Sequence, residues 1–269
     1  MIDLTVLITG ASGGLGRAFA LECAARGFDI LLTDINAEGL ERIKNGILRQ
    51  YDVHVYTKPC DITNDSEVNS LINYAKEAGI KLDMLLNVAG IDHEGGFTTQ
   101  SLNNITEILR VNIEATLRMT YKALSIRRKT GRFYIVFVSS LAAMYPMPLK
   151  ATYAASKRFL FDFSLALGQE LKSENVKVLA LCPGGMPTND NCIKAIEAQG
   201  VWGEITTNTL EKIAHRTISM ALHGRKVYVP GTINRLFSIV SRIVPASITT
   251  KLIHSRWHRA QEKWIINQG

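Results

Sequence analysis

Residues 4–27, LTVLITGASGGLGRAFALECAARG, decide the fold. The opening LTVLI is an apolar run of strand length, the closing RAFALECAARG is helix-like, and between them Thr9–Gly16 holds four glycines in eight residues. Glycines at a strand-to-helix turn permit positive φ and let the backbone come close to a ligand. The free N–H groups and dipole of the helix that follows favour negative charge. The stretch is therefore a candidate pyrophosphate cradle. Taken alone it is as consistent with an ordinary tight turn, which needs glycine too.

The rest of the chain supplies context. Six further strand candidates follow, at 29–33, 53–57, 82–87, 133–139, 176–181 and 226–230, with helix-length segments between them. Near-continuous apolar strands alternating with helices predict an α/β fold: a doubly wound parallel sheet of about seven strands, with right-handed crossovers and helices on both faces. With 269 residues, 46% of them apolar, and no low-complexity linker or internal repeat, the chain reads as one domain over 1–269. Met1 leads almost directly into the first strand without a signal-peptide pattern, and no apolar run reaches transmembrane length, so a cytoplasmic protein is expected. Cys23, Cys60, Cys182 and Cys192 stand far apart and form no CxxC pair; they read as reduced core thiols, and no metal site is expected.

Asp34 ends the second strand candidate, 18 residues beyond Gly16, where a carboxylate can accept hydrogen bonds from an adenosine ribose; a helix-start aspartate is the other reading. The glycine spacing is TGxxxGxG (Gly10, Gly14, Gly16) and not GxGxxG. That spacing, followed by NVAG at 87–90, VN at 111–112, Ser140, YAASK at 153–157 and PGGMPT at 183–188, resembles the short-chain dehydrogenase/reductase family from residue 4 to about 230. One departure is NVAG where the family usually has NNAG. The resemblance implies a Rossmann-fold oxidoreductase that passes hydride between a nicotinamide and a small-molecule carbonyl or alcohol, as a homodimer or homotetramer. It names no substrate.

Tyr153 and Lys157 are four apart on the expected helix ATYAASKRFLFDFSLALGQEL, so they share a face. The pKa of a tyrosine, about 10 when unperturbed, falls when a neighbouring ammonium stabilises the phenolate, which turns the pair into a proton donor and acceptor. Outside the wider pattern the same pair reads as a packing tyrosine and a surface lysine. The resemblance implies Tyr153 as general acid/base, Lys157 as the residue that holds the nicotinamide ribose and tunes the tyrosine, Ser140 as hydrogen-bond donor to the substrate oxygen, and Asn112 as support for a proton relay. Ser139 competes with Ser140 and reads as a strand-end residue facing elsewhere. By the same resemblance Gly10, Ser12, Gly14, Leu15 and Gly16 hold the cofactor, Asp61 contacts adenine, Asn87, Ala89 and Gly90 border the cofactor, and Thr188 binds the nicotinamide carboxamide. Ile62, Pro183 and Gly184 complete the set. Read without it, Asp61 caps the helix that begins near Asn64, and Asn112 bonds locally inside a helix.

NAD is the expected cofactor. A carboxylate at Asp34 repels a 2′-phosphate, and neither Gly13 nor Ile35 offers the basic group that NADP-preferring relatives often use. Arg17, just after Gly16, speaks for NADP, its other reading being a helix-surface arginine. Residues 186–207 carry the substrate-covering loop in relatives. Trp202, with Met144, Tyr145, Pro146 and Met147, fits either an apolar pocket or packing. His93 and Glu94 follow NVAG near the expected cleft mouth, as plain loop residues or substrate contacts.

The net charge of +7 is unevenly placed: beyond residue 224 stand eight Lys and Arg against one acid, Glu262. In this basic extension, 231–269, Ile233, Leu236, Phe237, Val240, Ile243 and Val244 recur at helical spacing, and Ile248, Leu252, Ile253, Trp257 and Trp264 suggest a second amphipathic helix. The favoured expectation is packing over the substrate pocket or a subunit interface; contact with an anionic membrane surface is the alternative, and nucleic-acid binding is not expected. Together these features predict an NAD-dependent alcohol dehydrogenase or ketone reductase for a bulky apolar, hydroxysteroid-like or acyl-like substrate. An NADPH-dependent 3-oxoacyl thioester reductase and a non-catalytic dinucleotide-binding sensor or scaffold are the rivals.

Overall fold

The structure is a computed structural model that describes residues 4–186, 208–240 and 244–255. Seven strands form one sheet: β1 (Thr5–Thr9), β2 (Asp29–Thr33), β3 (Val55–Thr57), β4 (Met84–Asn87), β5 (Phe133–Val138), β6 (Val176–Leu181) and β7 (Val227–Tyr228). Their order is β3-β2-β1-β4-β5-β6-β7, and every pairing is parallel. All seven expected strands are present, some shorter than the apolar runs that announce them. β4 begins at Met84 because Leu82 makes only an isolated bridge to Arg127. β7 ends two residues before Pro230, which has no N–H to extend a ladder.

The helices are α1 (Gly14–Ala25), α2 (Ala37–Leu48), α3 (Asp65–Glu77), α4 (Leu102–Leu109), α5 (Thr116–Ser125), α6 (Ala151–Glu170), α7 (Leu210–Leu222), α8 (Thr232–Val240) and α9 (246–255). Strand side chains alternate between two cores. Val6, Ile8, Ile30, Leu32, Met84 and Leu86 meet α1, α2 and α7 on one face; Leu7, Leu31, Leu85, Ile135 and Phe137 meet α3, α5 and α6 on the other. Both faces are buried, which is why the strands read as continuous apolar runs and not as alternation. The chain winds outward from β1 in both directions, through β2 to β3 and through β4 to β7. This switch opens a crevice at the carboxyl ends of β1 and β4, where Thr9 and Asn87 stand.

At the rim of that crevice Asn36 caps α2, its side-chain oxygen accepting the Gly39 N–H at 2.9 Å. Asn36→Ala is expected to lower stability by about 1 kcal/mol, read as a lower urea midpoint at unchanged slope.

Candidate functional site

Two positions around the β1–α1 turn, Gly10 and Gly16, admit only glycine. Gly10 has φ +62°, and a Cβ there would sit 2.8 Å from the backbone N and Cα of Ala89. A Cβ on Gly16 would lie 2.1 Å from the Gly10 carbonyl oxygen. α1 begins at Gly14 and Leu15 behind Gly13, whose position supplies no side-chain cap, and its first turn has no acidic residue. Its leading amides therefore face the crevice without a side-chain acceptor, which suits an anion. Asp34 closes the rim: Oδ2 accepts the Ser12 N–H and Oδ1 the Asn36 N–H, each at 3.0 Å. Both oxygens retain lone pairs for a further donor.

Asp61 stands beside Asp34, tied to it through the Cys60 N–H, which donates to the Asp34 carbonyl at 3.0 Å. Asn64, not Asp61, caps α3, accepting the Ser66 N–H. The Asp61 carboxylate instead accepts the Thr63 N–H and hydroxyl, and Ile62 is buried beside it. Thr9 fastens β1 to the NVAG turn, its hydroxyl oxygen accepting the N–H groups of Val88 at 3.1 Å and Ala89 at 3.2 Å. Val88 packs against the first core, so the departure from NNAG leaves this strand end closed. The Asn87 amide donates to Thr120, while its buried Oδ1 has no partner among the described residues. A Cβ on Gly90 would lie 3.1 Å from both Asn112 Oδ1 and Lys157 Nζ. The floor of the crevice is thus kept open by glycine.

Asn112 lies in a π-helical turn, Arg110–Ala115, that joins α4 to α5. Single π turns of this kind re-aim side chains at functional sites. Its amide is fully buried and bonds far along the chain: Nδ2 donates to the Ile91 carbonyl (2.9 Å) and to Ser156 Oγ (3.1 Å), and Oδ1 accepts the Ile91 N–H (2.8 Å). Ser156 in turn donates to the Tyr153 carbonyl at 2.7 Å. Lys157 Nζ donates to the Val138 carbonyl at 2.9 Å and lies 5.7 Å from the centroid of the Tyr153 ring. Burial pulls the Lys157 ammonium down to about 8, against the opposing pull of Asp92 and Cys182.

A second ammonium, Lys150, stands 5.8 Å from the same ring and pairs with Asp92 at 2.5 Å and Glu94 at 3.0 Å. Burial lowers its pKa, but the two carboxylates outweigh burial and hold it above the ordinary lysine value. Glu94 thus serves Lys150, and His93 Nε2 lies 3.1 Å from Glu107. Ser140 caps the 3₁₀ turn Leu141–Met144, accepting the Ala142 N–H, whereas Ser139 is buried and donates to the Lys157 carbonyl at 2.7 Å. The Pro183 carbonyl accepts the Leu141 N–H, with Gly184 half-buried after it. Met144 is buried against Leu141 and Phe161, while Thr188 and Trp202 lie outside the described residues.

A family profile described as short chain dehydrogenase matches residues 4–194. The chain belongs to the short-chain dehydrogenase/reductase family. Among its relatives, ketoacyl reductase HetN of Nostoc sp. is 28% identical over 91% of this chain and 86% of its own length. A very-long-chain 3-oxoacyl-CoA reductase of Phaeosphaeria nodorum is 34% identical over 64% of this chain, and that match spans 52% of the relative, about half its length. Solved short-chain dehydrogenase/reductase structures share the fold. L-sorbose reductase from Gluconobacter frateurii, complexed with NADPH and L-sorbose, superposes with TM-score 0.78 at 20% identity, covering 85% of this chain and 95% of that one. A Burkholderia phymatum member in complex with NAD gives 0.75 at 22% identity, covering 84% and 88%. The glycine cradle, the uncapped α1 terminus and the space that Gly90 preserves fit the nicotinamide dinucleotide that this fold binds.

Sequence reasoning missed Thr9, Ser156 and Lys150. Thr9 had a signal, a hydroxyl ending the strand next to NVAG. Ser156 and Lys150 act through contacts that only the tertiary fold creates.

Proposed function

We propose that this short-chain dehydrogenase/reductase exchanges hydride between NAD(H) and a secondary alcohol or ketone of bulky apolar character. The observation that carries the reading is the buried Lys157 ammonium beside the Tyr153 ring. The dinucleotide, when bound, supplies the hydride donor or acceptor. The β1–α1 glycines and Ser12 hold its pyrophosphate, Asp34 its adenosine ribose and Lys157 its nicotinamide ribose. In reduction the Tyr153 hydroxyl gives its proton to the substrate oxygen, and in oxidation it takes the proton back. The neighbouring ammonium favours the phenolate left behind. Ser140 donates to the same oxygen, and Asn112 holds the Ile91 backbone and Ser156 so that the tyrosine keeps its place.

The names of the relatives, ketoacyl and 3-oxoacyl-CoA reductase, support an acyl-type ketone over a hydroxysteroid. Nicotinamide absorbance with 3-oxoacyl thioesters, hydroxysteroids and small ketones, each with either cofactor, tests this. Turnover of a 3-oxoacyl chain or another apolar ketone supports the proposal; no turnover of any carbonyl or alcohol overturns it.

One observation favours NADPH as a second reading. Arg17 and Arg42 line a cavity of about 270 Å³ together with Ser12, Asn36 and Gly39, beside Asp34. The Asp34 carboxylate is bonded to the backbone of two residues of that cavity, Ser12 and Asn36, and its charge opposes a 2′-phosphate. Calorimetry should find NADH bound about tenfold more tightly than NADPH or better, a margin that Asp34→Ala narrows. Tighter NADPH binding by the unaltered protein would transfer the role to the two arginines.

A further inference from the structure

We infer that α8 and α9 form a surface that docks on an anionic phospholipid bilayer. α8 is inverted relative to an ordinary surface helix: its buried residues are the polar Asn234 and Ser238, while Leu236 (58% exposed), Ile239 (56%) and Val240 (40%) face outward. The inward polar side chains donate locally, Asn234 Nδ2 to the Pro230 carbonyl and Ser238 Oγ to the Arg235 carbonyl. The outward residues follow the i, i+3, i+4 spacing of a single helix face. α9 adds Ile248 and Leu252, four apart, at 50% and 66% exposure. Five of the thirteen large apolar side chains exposed among the described residues therefore fall between 236 and 252. Scattered singly they would need no explanation; gathered on two successive helices they mark a surface built to meet an apolar phase.

Charge selects the phase. Exposed Arg235 and Lys251 are the chain neighbours of Leu236 and Leu252, and the sequence beyond residue 224 holds the whole of the chain's excess positive charge. Apolar residues on one face with Lys and Arg beside them are the features of a helix lying in the interface of an anionic membrane. No helix among the described residues is long and apolar enough to cross a membrane, so the contact is interfacial. α8 also lies against the turn Leu141–Met144 that follows Ser140, which sets this surface next to the candidate site.

The test is co-sedimentation of the full chain with vesicles of phosphatidylcholine alone and of phosphatidylcholine with about a third phosphatidylserine, at low and high salt. Binding to the anionic vesicles is expected, with a loss of about tenfold or more in high salt or on neutral vesicles. The variant L236E/I239E/L252E should bind about tenfold more weakly while keeping its helical circular dichroism and its turnover of a water-soluble substrate. Lys251→Glu, a single exposed change, should weaken binding by a smaller factor. No binding to anionic vesicles, or equal binding to neutral ones, overturns the inference. So does a change of oligomeric state in the triple variant without loss of vesicle binding, which would assign the face to a second copy of the chain.

Discussion

Tyr153→Phe is expected to reduce turnover by about 10²- to 10⁴-fold, equivalent to about 3 to 5.5 kcal/mol of barrier, while leaving dinucleotide affinity within a few-fold. Phenylalanine keeps the ring, and with it the packing between the Lys150 and Lys157 ammonium groups at 5.8 and 5.7 Å. It removes only the hydroxyl that would move the proton. The backbone is undisturbed too, because Ser156 bonds to the carbonyl of residue 153 and not to its side chain. Tyr145→Phe is the control: the residue four positions on is Leu149, which offers no ammonium. Single-turnover hydride transfer and nicotinamide affinity should be measured for both variants. If Tyr153→Phe kept turnover within a few-fold while Tyr145→Phe lost it, the proton would have to move through another group.

How far such a site can be read from sequence depends on how local its causes are. The i, i+4 spacing of Tyr153 and Lys157 fixes a shared helix face whatever surrounds it, and a glycine turn between an apolar run and a helix constrains its own backbone. The two-core sheet was legible for the same reason, since each strand announces itself as an apolar run. Strand ends were less so: β3 begins at Val55, β4 at Met84 and β7 at Val227, inside the expected runs, because pairing with a neighbouring strand and not apolar content sets where a ladder starts. Asn112 gives no local sign that it sits in a π turn and reaches back to Ile91. Lys150 looks like a loop lysine until the fold brings Asp92 and Glu94 to it. The tail shows the limit most plainly. Periodicity gives α8 an apolar stripe but not the direction in which it faces, and Leu236 and Val240, expected to pack, lie exposed in the described chain.

Lys157→Met separates what the ammonium does for chemistry from what it costs the fold. Turnover should drop by about 10²-fold or more, because the group that favours the Tyr153 phenolate is lost, and nicotinamide affinity should fall with it. Stability should move the other way with pH. Burial holds the folded-state pKa at about 8 against 10.5 for an ordinary lysine, so below pH 8 the folded protein carries a desolvated charge that the unfolded chain carries in water. That penalty is fully present below the folded value, amounts to about 3 kcal/mol, and fades as pH rises toward the unfolded value, where neither state is charged. Wild-type stability relative to Lys157→Met should therefore rise by about 1 kcal/mol from pH 7 to pH 9 and by about 2 kcal/mol by pH 10. The comparison must be a difference, because burial also raises the Cys60 and Cys182 thiols to about 12, and their ionisation in the unfolded chain lowers the stability of both proteins above pH 9. In absolute terms the variant loses the bond to the Val138 carbonyl, a cost of about 1–3 kcal/mol that offsets from a third to all of the relief at neutral pH. The slope, not the offset, is thus diagnostic. Urea midpoints at pH 7, 9 and 10 measure it; parallel profiles for the two proteins would mean that Lys157 titrates as a solvated lysine and stabilises no phenolate by desolvated charge.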